Sequence, residues 1–89
     1  MNTHIMFQRT CIACPEQYDA YRRDGKSVAY MRLRHGRFTV CCPDVEGGIV
    51  YEAYPKGQGQ FEDDEREHYL GEAAIAITEW LDIHENEIN

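Results

Sequence analysis

Hydrophobic and polar residues alternate through the middle of the chain and then change period. The clearest segment is 27–34 (SVAYMRLR), where Ala29, Met31 and Leu33 fall on one side and Val28, Tyr30, Arg32 and Arg34 on the other. A period of two marks a half-buried strand. Segment 16–21 (EQYDAY) reads as a shorter strand, and 37–42 (RFTVCC) turns Phe38 and Val40 inward and Arg37 and Thr39 outward. Segment 49–54 (IVYEAY) is rich in the β-branched and aromatic residues that fit a pleated surface. Turn chemistry separates these runs. Asp24-Gly25 and His35-Gly36 suit tight reversals, Pro43 cannot extend a ladder, and 44–48 (DVEGG) reads as a loop before the last strand.

Beyond 55–59 (PKGQG) the period becomes helical. At 100° per residue, Leu70, Ala73, Ala74, Trp80, Leu81 and His84 gather around Ile77, which predicts an amphipathic helix over 64–84, about 30 Å long. Asp64 followed by Glu67 has the form of a capping box. Gly71, with Ala73, Ala74 and Ala76, is expected to let the helix approach the sheet closely. A one-sided sheet and a one-sided helix each need a partner. The expected fold is therefore α+β: a three- to four-stranded antiparallel meander over 16–54 packed against one long C-terminal helix, in a single domain over 1–89. Residues 1–12 form an N-terminal arm or a further edge strand. The expected core is Trp80, Phe38, Leu33, Met31, Leu70 and Ile77.

Charge sharpens this picture. The 89 residues carry a formal charge of -7, which argues against generic phosphate-backbone binding, since that runs on clustered Lys and Arg. The total hides a division. Residues 1–37 hold seven basic and three acidic side chains, whereas 38–89 hold two basic and thirteen acidic. The open face of the sheet is expected to present Tyr30, Arg32, Arg34, Arg37 and Thr39, and the outer face of the helix Glu65, Glu72, Ile75, Glu79 and Asp82. Tyrosine and arginine are enriched where proteins recognise partners. An acidic helix face suits a basic partner surface or imitates a nucleic-acid backbone.

The cysteines invite a metal. Cys11-x-x-Cys14 and the adjacent Cys41 and Cys42 supply four thiols for a zinc site. Neighbouring residues of a regular strand point to opposite faces, however, so Cys41 and Cys42 converge on one metal only if the strand breaks at Pro43. Free, partly buried thiols are the expectation, with no cofactor. The Cys11-x-x-Cys14 pair lacks the following helix N-terminus that activates a redox thiol. The histidines do not cluster, and no phosphate loop, nucleophile elbow or dinucleotide turn is present. No enzymatic activity is expected. No apolar run of about 20 residues spans a membrane, and with no secretory signal pattern at the start the expected location is cytoplasmic.

The runs Cys14–Asp19 (CPEQYD), Val28–Phe38 (VAYMRLRHGRF) and Glu62–Arg66 (EDDER) resemble small proteins of unassigned activity encoded by bacteriophages and prophages. The likeness covers about residues 14–75, and Cys11, Cys41 and Cys42 are not among the positions that carry it. It implies a non-enzymatic accessory protein, in the host cytoplasm, that binds and inhibits a host protein or nucleoprotein defence complex of the anti-CRISPR or anti-restriction kind. The alternative expectation is a nucleic-acid-binding module in which Tyr30 stacks on a base and the arginines meet phosphates, with zinc as a potential stabiliser.

Overall fold

The computed structural model describes residues 5–11, 16–57 and 59–88. Five strands, β1 (Met6–Cys11), β2 (Glu16–Tyr21), β3 (Ser27–Arg34), β4 (Arg37–Cys42) and β5 (Gly48–Ala53), lie in the order β1-β2-β3-β4-β5. Every neighbouring pair is antiparallel. The helix α1 (Arg66–Ile88) covers one face of this sheet, chiefly over β4 and β5. The α+β architecture is as expected, but the strand count is five because Met6–Cys11 adds an edge strand, pairing Phe7 with Ala20 and Arg9 with Tyr18.

The hairpin of β3 and β4 follows directly from its residues. His35 and Gly36 both take positive φ, 54° and 75°, the two-residue reversal whose twist matches the flanking strands. That reversal sets Leu33 against Phe38 and Met31 against Val40 on the covered face, and all four are fully buried. Arg34 then stands opposite Arg37, and Arg32 opposite Thr39, on the open face. Val28 departs from the expected alternation and is buried. Ala20 pairs with Ala29 and Tyr21 with Ser27, so Val28 is the extra residue of a bulge, which turns its side chain out of the regular pleat. It reaches a cavity of about 210 Å³ that is also lined by Pro43, Trp80, Leu81 and His84.

The helix buries Ala73, Ile77 and Leu81 against the sheet. Leu70 and Trp80 pack on the core while remaining partly exposed. Trp80 is stacked on His84, with ring centroids 3.9 Å apart, and the His84 Nδ1–H donates to the Trp80 carbonyl at 2.9 Å. Phe61, ahead of the helix, completes an aromatic group with Phe38 at 4.9 Å and Tyr69 at 5.6 Å. Gly71 does not serve close packing as expected: it faces solvent, and a Cβ there would meet nothing within 4 Å. Gly71→Ala should therefore stabilise the protein by roughly 1 kcal/mol, read as a higher urea midpoint at unchanged slope; no gain would mean that the helix gains nothing from reduced backbone freedom here.

The helix begins differently from the capping-box expectation. Asp64 pairs with Lys56 Nζ at 3.0 Å. Glu65 is buried, not on the outer helix face, and its carboxylate accepts the backbone N–H groups of Lys56 and Gly57 at 2.9 Å and of Glu62 at 3.0 Å. Burial alone would raise its pKa, but these three donors hold it below the usual 4.5. Glu65 thus ties the segment before the helix into a fixed loop, the conformation that delivers Phe61 to the core.

Candidate functional site

The open face of the sheet carries the hairpin's polar residues in two adjoining rows. One runs Gln17, Arg32, Thr39, Glu52 across β2 to β5. The other joins Arg34 and Arg37. Between them lies an open hollow of about 450 Å³ lined by Arg32, Arg34, His35, Arg37, Thr39 and Tyr54. Arg37 Nε–H donates to Glu52 Oε2, which raises the Arg37 pKa further. Among the described residues Arg32 and Arg34 enter no ion pair. The hollow thus brings together three guanidinium groups while only one has a carboxylate partner.

Tyr30 lies farther along the same face, opposite Asp19 and Cys41. Its hydroxyl donates to Gln17 Oε1 at 3.0 Å, a bond that fixes the ring along the sheet. The exposed aromatic side chain of this face is Tyr54, 71% exposed at the rim of the hollow with its side chain beside Arg37. Sequence alternation placed Tyr54 at the end of a strand without marking it, because its nearness to Arg37 depends on the β4–β5 register.

The candidate helix residues share the surface turned away from the sheet. Ile75, Glu79 and Ile83 recur at four-residue spacing and are exposed, with Glu72 and Asp82 half-buried beside them. Ile75 and Ile83 are 56% and 58% exposed, so the stripe has an apolar line among its acids. Since α1 lies on the covered face of the sheet, the basic hollow and this acidic stripe occupy opposite sides of the molecule.

The cysteines do not converge. Cys41 is on the open face with Tyr30, whereas Cys42 is 2% exposed in the core. Cys11 lies on β1, three strands from Cys41, roughly 14 Å away at ordinary strand spacing. Cys14 lies outside the described residues. Although the pairing with β5 shifts register between Val40 and Cys41, β4 keeps its alternation of buried and less buried side chains through Cys42, so the adjacent thiols remain on opposite faces. Burial pushes the Cys42 thiol up to about 12, and raises Cys41 despite the opposing influence of Arg32 and Arg37. Among the described residues no group of three or more His, Cys, Asp and Glu could hold a metal ion.

One polar cluster was not anticipated from the sequence. Glu16, 1% exposed on the covered face, accepts Arg66 Nε–H at 2.8 Å, Arg66 Nη2–H at 3.2 Å, the Phe61 amide at 2.9 Å and the Tyr18 hydroxyl. Arg9 approaches it at 3.6 Å. Burial would raise the Glu16 pKa, but the donors from Arg66, Tyr18 and Phe61 outweigh it and hold the carboxyl below its usual 4.5. Burial, reinforced by the same carboxylate, pushes Tyr18 up to about 12. This cluster joins β2 to the helix start.

Compared with family models, curated proteins and solved structures, the chain matches none. No helix among the described residues is long and apolar enough to cross a membrane.

Proposed function

We propose that the protein is a non-enzymatic binding protein of the phage accessory kind, acting in the host cytoplasm by docking its outer helix face onto a basic surface of a host protein or nucleoprotein defence complex. The observation that carries this reading is the stripe of Glu72, Ile75, Glu79, Asp82 and Ile83, in which two exposed isoleucines lie among acids. An apolar centre with a polar rim is the usual anatomy of an interface. The acids bias association toward basic surfaces, the kind that nucleic-acid-handling proteins use to hold phosphates. The phage setting rests on the likeness of segments 14–19, 28–38 and 62–66 alone.

Immobilised protein is used to capture partners from bacterial lysate, beside the variant combining Glu72→Lys, Glu79→Lys and Asp82→Lys. The wild type should retain a basic partner that a double-stranded DNA fragment displaces, because both claim the same surface. The variant should lose it by at least tenfold, the scale of a few desolvated charge pairs. A partner list unchanged by charge reversal removes the helix face from the mechanism.

A further inference from the structure

We propose that the hollow on the open face of the sheet is a second, independent site, one that binds a single-stranded nucleic acid. Its defining feature is a charge arrangement with no internal explanation. Arg34 and Arg37 stand directly opposite across the tight His35-Gly36 turn, and like charges in that relation destabilise a hairpin. Glu52 relieves Arg37 only. Arg32, on the adjoining row, adds a further guanidinium and no acid faces it, since its cross-strand neighbours are Gln17 and Thr39. A bound anion supplies the missing counter-charge.

The hollow's shape selects the kind of anion. At about 450 Å³ it is wide and open, with Thr39 able to donate from its floor and Tyr54 standing 71% exposed at its rim. Arginines on phosphates beside an exposed aromatic on which a base stacks are the two components of single-strand recognition. A duplex keeps its bases stacked internally and leaves Tyr54 unused.

The overall charge of -7 does not oppose this. The molecule measures 21 Å or more along its shortest axis, and the acidic helix face lies on the far side. Salt at physiological strength screens exposed charges beyond about 8 Å, so a strand in the hollow senses chiefly the arginines around it.

The test is anisotropy titration of a fluorescein-labelled oligothymidylate of about 15 nucleotides with the whole protein. Phosphate contacts from Arg32 and Arg34, the two guanidinium groups without a carboxylate partner, predict that log affinity falls with log salt at a slope of about -1.4, roughly a sevenfold loss between about 50 and about 200 mM. Arg32→Gln or Arg34→Gln should each flatten that slope by about 0.7. Tyr54→Ala should weaken binding about tenfold while leaving the slope unchanged, with Tyr54→Phe retaining affinity. These side chains lie outside the core, and matching circular dichroism and urea midpoints establish that each variant is folded. The helix charge-reversal variant carries a new lysine cluster of its own, so the two sites are separated instead by Arg34→Gln, which should lose oligonucleotide affinity while retaining whatever basic partner the helix face captures. Absence of saturable binding, an unchanged slope in Arg34→Gln, or equal displacement by polyglutamate and unlabelled oligonucleotide overturns the proposal; the last would mark the face as one for acidic protein.

Discussion

Arg66→Ala should cost about 3–5 kcal/mol of unfolding free energy at pH 7, the range expected when one partner of a buried ion pair is removed. The reason lies in what remains. Glu16 keeps its side chain at 0% exposure while losing both Arg66 donors. The Tyr18 hydroxyl, the Phe61 amide and Arg9 at 3.6 Å do not replace that charged fork, so the buried carboxylate bears much of the cost of its lost hydration. Arg66→Lys should recover only part, since an ammonium cannot reproduce the fork that meets both Glu16 oxygens. The double variant Glu16→Gln with Arg66→Ala should be less damaged than Arg66→Ala alone, because no buried charge is then stranded. Urea unfolding of the four proteins measures this. An Arg66→Ala cost below about 1 kcal/mol would show that water reaches Glu16 and that the pair is an ordinary surface contact.

The same pair sets a pH dependence. Glu16 and Glu65 both have folded pKa values lowered from 4.5, so the unfolded chain binds protons more readily than the folded one. Their contribution is present above about pH 4.5 and is lost as pH falls through the lower folded values. Wild-type stability should therefore drop on acidification below about pH 4.5. The deficit of Arg66→Ala relative to wild type should shrink over the same interval, because protonation removes the stranded charge.

The β3–β4 hairpin was legible because its signals are local: alternation on both arms and a His-Gly pair between them. The open-face arginines followed from that alternation without any knowledge of the partner strands. Val28 was not legible, since a bulge belongs to two strands in register and neither strand announces it alone. β1 was obscured because Arg9 occupies a covered-face position, where it approaches Glu16 at 3.6 Å, and a charged residue at an inward position breaks the apolar period. Glu16 was hidden for a related reason. An acid at the start of a strand reads as solvent-facing, and the arginine that makes its burial tolerable stands 50 residues later. The Asp64 capping pattern was misleading because the neighbouring Glu65 receives its donors from the preceding loop, 8 and 9 positions back. Tyr54 became part of the site only once β5 set it beside Arg37.

Phe38→Ala should destabilise the protein by about 3–5 kcal/mol, the cost of truncating a buried phenylalanine. Phe38 is fully buried and makes edge contacts with Phe61 at 4.9 Å, Tyr51 at 6.2 Å and Tyr69 at 6.3 Å. The cavity would open where the sheet, Phe61 and the helix start meet, so three parts of the core lose a shared contact. For 89 residues a stability of about 4–13 kcal/mol is ordinary, and the loss is a large share of that. Phe38→Leu retains much of the volume and should cost markedly less. The consequence reaches the open face, because Phe38 lies between Arg37 and Thr39 and anchors the strand that presents both. Urea titrations followed by far-ultraviolet circular dichroism read the loss directly. Oligothymidylate binding by Phe38→Leu under conditions where it remains folded then separates anchoring from recognition: affinity close to wild type is expected if the core only holds the hairpin in place. A Phe38→Ala cost under about 1 kcal/mol would mean that the aromatic group closes over the vacancy by repacking Phe61 and Tyr69, and that sheet and helix do not depend on one common core residue.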